Sequence, residues 1–261
     1  MRLVSKAEKL YFCDMSLGKL YLIPVPLAED ASGATFTDFA RQTINDIVEY
    51  IVENEKTARK FLKQAGLQRP QSELTIHDYG KHQRGLVPIS DYFNAIKKGR
   101  NVGLMSEAGC PGIADPGAEI VAEAHRLGIQ VIPLVGPSSI LLALMASGFN
   151  GQAFSFQGYL PIDKKERSTR LKDLERESAH RLQTQIFIET PFRNNALLDE
   201  LLRVLNPRTM LCVAVDLTSE REKVVSQAVS KWKEAKMSIL LENMKTSLHK
   251  RPAIFLIYAE R

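Results

Sequence analysis

The residues best placed for chemistry lie in the segment VGLMSEAGCPGIADPG, residues 102–117. An apolar run enters a loop of small residues, and Asp115–Pro116–Gly117 precedes an amphipathic stretch. This order predicts a buried strand, a tight loop and a helix with Asp115 at its N-cap and Pro116 at its first position. Small residues let a ligand lie against the backbone, and open α/β sheets hold ligands where a strand ends. An ordinary connection between a strand and a helix gives the same pattern, so both interpretations stand.

A second loop of this kind follows the predicted strand Gln130–Leu134. Gly136–Pro137–Ser138–Ser139 opens the apolar helix ILLALMAS. Backbone donors and small hydroxyls at a helix start can hold the polar edge of a nucleoside. Common helix capping explains the same residues. Neither loop carries a G-x-G-x-x-G pattern or the Lys–Ser/Thr pair of a phosphate loop, so we expect a ligand of low charge.

The elements that must position these loops alternate between strand and helix up to about residue 150. This alternation predicts an α/β protein whose N-terminal domain, residues 1–150, has a mainly parallel sheet. Residues 151–261 show longer strands joined by short connections, which predicts a second domain with a mixed or antiparallel sheet and helices. The expected strands are Lys19–Pro24, 47–52, Leu74–His77, 102–105, Gln130–Leu134, Gln185–Glu189, Met210–Leu217, Glu222–Val229 and Ala253–Tyr258. The expected helices are Glu55–Ala65, Ile89–Ile96, 117–127, 140–147 and Asn194–Leu205.

Composition excludes several classes of protein. The 261 residues are 44% hydrophobic and 25% charged, which is typical of a globular protein and gives no run long enough to span a bilayer. The N-terminal residues lack a signal-peptide core, so we expect a cytoplasmic protein with no membrane partner. Three cysteines without a C-x-x-C pair, and no ligand cluster of suitable spacing, predict neither a disulfide framework nor a metal site.

Positive charge permits a polyanionic partner without requiring one, since the net charge is +5. Residues 163–181 mix both signs densely. A solvated helix explains this run, and so does a basic face that guides RNA phosphate.

Five blocks of the chain, in order, are similar to the tetrapyrrole methylase superfamily of S-adenosylmethionine-dependent methyltransferases. They are KLYLIPVPL, VENEKTARKFL, VGLMSEAGCPGIADPG, IPLVGPSSILLALMASGFN with FQGYLP, and QIFIETPFR. Within the superfamily, the chain most resembles the branch that methylates a ribose 2′-hydroxyl of a cytidine in small-subunit ribosomal RNA.

This resemblance implies a two-domain α/β fold with helices on both faces of the N-terminal sheet, a homodimer, and the methyl donor in a cleft between the domains. It implies ribosomal RNA or the small ribosomal subunit as partner and S-adenosylmethionine as the only cofactor, with no metal. The residues expected at the donor are Pro26, Ala108, Gly109, Cys110, Ile113, Asp115, Ser138, Ser139, Glu189 and Leu217.

The chain departs from the branch on the acceptor side. Ala28–Glu29–Asp30 replaces the usual G-N-L, Glu107 replaces an Asp, and Asn54–Glu55–Lys56 replaces Asp–Thr–Arg. The H-x-x-N segment of the branch is only partly retained in residues 77–82, which read HDYGKH. These departures are typical of a divergent subgroup.

A ribose hydroxyl is a weak nucleophile, so a base or a nearby cation would help it to attack the methyl group of the donor. The catalytic candidates are Glu53, Arg59 and Glu189, with Lys56, His77 and His82 as further groups. Plain structural roles compete with each: Glu53 can cap the following helix, His77 and His82 can be ordinary loop residues, and His125 pairs with a helix C-terminus.

The leading hypothesis is therefore an RNA ribose methyltransferase. One alternative is a methyltransferase of a porphyrin or corrin precursor. Another is a non-catalytic protein that binds S-adenosylmethionine or RNA, because fold does not fix function.

Overall fold

The structure is a computed structural model that describes residues 17–31, 36–80, 85–234, 243–246 and 248–260. Cys13 and His82 lie outside the described residues. Packing divides the chain into two compact units, the first reaching Val25 and resuming at Phe36–Gly136, the second comprising Pro26–Thr35 and Pro137 onwards. The sequence pattern placed the domain boundary near residue 150, whereas the helix before that point packs with the second unit.

The first unit is built on a five-stranded sheet in the order β3-β2-β4-β1-β5, and every pair of neighbours is parallel. This confirms the predicted parallel sheet. Its strands are β1 (Leu20–Leu22), β2 (Glu49–Val52), β3 (Thr75–Asp78), β4 (Val102–Met105) and β5 (Val131–Pro133).

Both faces of this sheet are covered, as predicted. Tyr50 and Val52 of β2 pack in one apolar cluster, while Ile51 between them packs in another. Successive side chains of a strand point to opposite faces, so the two clusters lie on opposite sides of the sheet. The first cluster includes residues of α1 (Asp38–Asp46) and α2 (Glu55–Gln64), and the second includes residues of α3 (Asn94–Lys97) and α4 (Ala118–Arg126).

Three local predictions in the first unit are wrong. Helix α4 begins at Ala118 with Gly117 at its N-cap, so Asp115 does not cap it and Pro116 is not its first residue. Gly117 has a φ of 125°, which turns the chain sharply just before the helix and is accessible to glycine. Ile89–Phe93 forms a 3-10 helix before the short α3, and α1 was not expected.

The second unit holds a mixed sheet in the order β6-β7-β10-β8-β9. Strand β6 is parallel to β7 and the other pairs are antiparallel, which confirms the mixed sheet. The strands are β6 (Phe154–Tyr159), β7 (Thr184–Ile188), β8 (Met210–Val215), β9 (Lys223–Ala228) and β10 (Ala253–Tyr258). Strand β6 was not expected from the sequence.

The helices of this unit include α5 (Ser139–Ser147), α6 (Lys164–Arg181), α7 (Asn194–Val204) and α8 (Val229–Trp232). Residues of α6 and α7 pack in one apolar cluster with the sheet, and residues of α5 pack in another. Neighbouring residues of β10, Phe255 and Leu256, belong to different clusters, so this sheet is also covered on both faces. Within the described part of the chain, no helix has the length and apolar character to cross a bilayer.

Candidate functional site

The loop after β4 is tied to the chain that leaves β1. Gly109 and Val25 exchange two backbone hydrogen bonds, of 2.9 Å from Val25 N–H and 2.8 Å from Gly109 N–H. Because β1 and β4 are neighbours in the parallel sheet, their carboxyl ends lie side by side, where such sheets hold ligands. This is the edge of the sheet at which the sequence predicts a ligand site.

The predicted donor residues of this loop differ in how accessible they are. Ala108 and Ile113 are exposed, Gly109 is buried, and Cys110 is half-buried. Burial raises the pKa of the Cys110 thiol, which keeps it uncharged. Ala108, Gly109, Cys110 and Ile113 thus offer an uncharged surface beside the exposed Glu107.

Ser106, at the start of the loop, was not singled out from the sequence. It is only 8% exposed, and its hydroxyl has no hydrogen-bond partner among the described residues. A buried polar group without a partner is costly, so it is a candidate for contact with a ligand. No pattern in the sequence distinguishes this serine from an ordinary turn residue.

A close approach between β1 and β5 shapes the same edge. A Cβ on Gly136 would lie 2.2 Å from Cβ of Pro24, so only glycine is tolerated there. The chain that leaves β5 therefore passes directly against Pro24, which follows β1.

Three carboxylates lie close together at this loop: Glu107 and Asp115 belong to it, and Glu53 follows β2. Glu53 Oε2 accepts a hydrogen bond of 3.4 Å from the backbone N–H of Glu107. Burial, Glu53 and Glu107 together raise the pKa of Asp115 to about 6. Like charges at close range disfavour ionisation, so Asp115 keeps its proton to a higher pH than an ordinary aspartate does. We name Glu53, Glu107 and Asp115 the carboxylate cluster.

The structure also answers the capping alternative for Glu53. Asn54 is the N-cap of α2, and its side chain accepts from the N–H groups of Lys56 and Thr57. Glu53 is therefore free of that role. The departure from the family pattern at Asn54 keeps a capping residue in place.

Arg59 links two segments of the first unit. Its guanidinium donates to Glu55 at 2.7 Å and to the carbonyl of Gln71 at 2.7 Å, joining α2 to the segment before β3. Lys56 is exposed on the first turn of the same helix. A catalytic role for Arg59 stays a prediction, because these contacts join it to Glu55 and Gln71 and not to the carboxylate cluster.

The histidines have structural surroundings. His77 Nε2 lies 2.9 Å from Glu49 Oε1, and its ring meets Tyr92 edge to face. His125 is exposed in the last turn of α4, as expected for a residue near a helix C-terminus. His82 is outside the described residues, so its candidacy stays a prediction.

In the second unit, Ser138 is the N-cap of α5, but its side chain makes no capping hydrogen bond. Ser138 and Ser139 are both half-buried. Common capping therefore does not explain the Ser138 hydroxyl, which stays available to a ligand. Pro26 also belongs to this unit and is half-buried.

Glu189 follows β7 and is 4% exposed. Its Oε1 accepts from Arg193 Nη2 at 2.6 Å and from the backbone N–H of Thr190 at 2.6 Å. Arg193 compensates the buried carboxylate and fixes its orientation. The sequence analysis missed Arg193, although the four-residue spacing from Glu189 was a signal.

Leu217 lies on a strained turn. Its neighbours Asp216 and Thr218 have φ angles of 49° and 72°, which are uncommon for residues other than glycine. Arg251 holds Asp216 at 2.6 Å, and Leu217 is buried in the apolar cluster that includes α5. Such strain is typical of functional loops, and the sequence carries no signal for it.

The charged run 163–181 forms α6, capped by the Asp163 side chain at the N–H groups of Lys165 and Glu166. Lys164 and Lys165 are exposed, whereas Arg167 is buried and paired with Glu200 at 2.6 Å. The helix is therefore amphipathic, and Arg167 stabilises the fold instead of facing RNA.

The fold matches that of solved tetrapyrrole methyltransferases. It matches uroporphyrin-III C-methyltransferase from Thermus thermophilus, solved in complex with S-adenyl homocysteine, with a TM-score of 0.53 and 16% identity. The match covers 92% of this chain and 97% of that one.

The chain belongs to the family of tetrapyrrole (corrin/porphyrin) methylases, whose model matches residues 39–231. It is 32% identical to ribosomal RNA small subunit methyltransferase I of Bacillus subtilis, over 82% of this chain and 68% of the relative. The protein of that name from Synechocystis is 31% identical over 79% of this chain and 70% of the relative. The predicted family is confirmed, and the chain is a methyltransferase.

Proposed function

We propose that this protein transfers the methyl group of S-adenosylmethionine to a ribose 2′-hydroxyl in small-subunit ribosomal RNA. The observation that carries the proposal is the loop of small residues at 106–113, which is joined to the exit of β1 and contributes Glu107 to the carboxylate cluster. The names of the relatives from Bacillus subtilis and Synechocystis support ribosomal RNA as the acceptor.

The residues suit this donor. The unpartnered Ser106 hydroxyl can bond a polar group of the nucleoside, and the neutral surface around Cys110 suits its apolar parts. The solved relative with S-adenyl homocysteine supports the same donor. Pro26, Ala108, Gly109, Ile113, Asp115, Ser138, Ser139, Glu189 and Leu217 complete the proposed donor set.

The bound donor supplies an electrophilic methyl carbon on a sulfonium. The protein's task is to align the ribose oxygen with that carbon and to accept the hydroxyl proton. The oxygen–carbon bond forms as the carbon–sulfur bond breaks, and the proton passes to a carboxylate. Glu53, within the carboxylate cluster, is the proposed base.

The test uses donor labelled in its methyl group, with either small ribosomal subunits or a porphyrin precursor as acceptor. We expect label in ribosomal RNA, at a ribose whose 2′-hydroxyl is blocked. Label in the porphyrin precursor alone would assign the protein to tetrapyrrole methylation. Bound donor without label in either would indicate a non-catalytic binding protein.

A matched pair of variants tests the base. We expect Glu53→Gln to lower turnover by about a hundredfold, the range of general base catalysis, with little change in donor affinity. Glu73→Gln, an exposed carboxylate of the same unit, is the control. Unchanged turnover of Glu53→Gln would remove Glu53 from the mechanism.

We further propose a cytoplasmic homodimer that works without a metal. Light scattering of the purified protein would give twice the chain mass of 29.3 kDa for a dimer. Turnover that survives chelation by EDTA would support metal independence. Among the described residues, no cluster of side chains is suited to hold a metal ion.

A further inference from the structure

A cavity of about 720 Å³ lies in the second unit, lined by residues at the start of β8 and the end of β10. Glu189 and Leu217 follow the ends of β7 and β8, and β10 is antiparallel to both. The cavity is therefore at the opposite end of this sheet from the proposed donor residues. Its size is in the range of small-molecule sites, about 300 to 1,000 Å³.

Three cations line this cavity. Lys172 and Arg176 lie four residues apart on α6, and Arg208 follows α7. Lys172 and Arg208 have no salt bridge with any described residue, and the Arg176 side chain is 77% exposed despite its pairing with Asp173. These side chains can therefore turn toward a bound anion.

The acidic groups of the cavity do not cancel these charges. Glu175 uses Oε1 to accept from the Asn206 N–H at 2.7 Å and from Thr209 Oγ1 at 2.5 Å. Its carboxylate is thereby committed to the turn that carries Arg208. With Glu260, the lining holds two carboxylates against three cations, so its net charge stays positive.

Aromatic side chains supply the apolar part of the lining. The rings of Phe149 and Tyr258 are stacked, with centroids 5.9 Å apart and planes 27° apart. The Ser147 hydroxyl accepts from the Phe149 N–H at 3.0 Å, which fixes the backbone of that residue. A preformed aromatic surface beside exposed cations suits a ligand that has a flat ring and a phosphate.

We propose that this cavity, which we call the α6–β10 pocket, binds one phosphorylated nucleoside of the RNA substrate. Lys172 and Arg208 hold the phosphate, and Phe149 and Tyr258 pack against the base or ribose. The proposal rests on the proposed RNA function, and it adds an RNA-binding site remote from the donor residues of this unit. A free mononucleotide shares the chemistry, so the experiment includes one.

The test compares the double variant Lys172→Ala/Arg208→Ala with Lys164→Ala/Lys165→Ala. The control removes the same charge from exposed positions of α6 that do not line the pocket. A fluorescent single-stranded RNA is titrated across salt concentrations, cytidine 5′-monophosphate is titrated by calorimetry, and thermal unfolding verifies that each variant is folded.

We expect the pocket variant to bind RNA less tightly and to lose about 1.4 from the slope of log affinity against log salt, about 0.7 for each lost phosphate contact. The control should keep a steeper slope. Photo-crosslinking of RNA that carries 4-thiouridine should mark peptides that contain Phe149 or Tyr258 in the unaltered protein.

The two proposals fail differently. If the unaltered protein methylates RNA but the pocket variant keeps the slope of the control, the pocket proposal is overturned and the function stands. If RNA is not methylated but the nucleotide binds and the pocket variant abolishes this binding, the pocket stands and the RNA function is overturned. If the unaltered protein binds neither the RNA nor cytidine 5′-monophosphate, the pocket proposal is overturned.

Discussion

Asp115 carries a proton under conditions in which ordinary aspartates are ionised. Burial and the charges of Glu53 and Glu107 raise its pKa from 3.8 to about 6. Because the folded protein binds this proton more tightly than the unfolded chain, the stabilisation is complete below about pH 4. It is lost as the pH rises through about 6.

The stability of Asp115→Asn relative to that of the unaltered protein should therefore be higher at pH 8 than at pH 4. The group is partly solvated, so the expected change in relative stability is about 1 kcal/mol, which corresponds to about 2 to 4 °C in Tm. Thermal unfolding at both pH values measures it. Asp46→Asn, at an exposed position, should show no such pH-dependent difference. A difference of the opposite sign would refute the raised pKa.

Glu189 is a buried charge whose role depends on Arg193. Replacement by alanine removes the acceptor of the 2.6 Å bond from Arg193, so Glu189→Ala should lose about 1 to 3 kcal/mol of stability. Glu189→Gln keeps an acceptor oxygen and should lose less. If the carboxylate also faces the positively charged donor, both variants bind the donor more weakly by calorimetry. Unchanged donor affinity and turnover in folded Glu189→Gln would exclude Glu189 from the site.

At the scale of elements, patterned stretches were predictable and irregular ones were not. Strands β4 and β8 are continuous apolar runs, typical of strands buried on both faces, and the sequence revealed them. Strand β6 includes Gly158 and alternates little in burial, and α1 lies in a polar stretch, so neither gives a strong period.

The candidate site shows the same division. The loops after β4 and before α5 were found because their small residues stand between patterned elements. The carboxylate cluster was not, because Glu53 lies 54 residues from Glu107 and only the register of β2 beside β4 brings them together. The positive φ of Gly117, which displaces the helix start from Asp115, is likewise set by the turn and not by a local pattern.

The turn around Leu217 stores strain that a single substitution can relieve. Thr218 has a φ of 72°, and its buried hydroxyl has no partner among the described residues. Thr218→Gly should therefore raise the free energy of unfolding by about 1 kcal/mol and weaken donor binding, because Leu217 is then held less firmly. Chemical denaturation and calorimetry measure the two effects. Thr218→Ala removes the hydroxyl but keeps the strained backbone, so a gain equal to that of glycine would disprove backbone strain as the cause.

At the scale of the whole molecule, the chain passes between its two compact units three times. It leaves the first unit after Val25, returns at Phe36 and leaves again after Gly136. The segment between the first two crossings is part of the second unit's packing. Leu27 packs against the apolar cluster that includes α5, and Asp30 Oδ2 accepts from the Glu220 N–H at 3.2 Å. A cut at the third crossing therefore leaves a piece of the second unit attached to the first.

We accordingly expect residues 1–136 and 137–261, produced as two separate chains in the same cell, to purify together. The first chain carries Leu27, whose side chain the second chain needs in order to complete its apolar cluster. Size exclusion with mass determination checks the association. Leu27→Asp should weaken it, because a charge would then enter an apolar cluster, whereas Leu86→Asp, at a position that is 72% exposed, should not. Halves that fold and elute apart, or a complex indifferent to Leu27→Asp, would show that the segment 26–35 contributes nothing to holding the second unit.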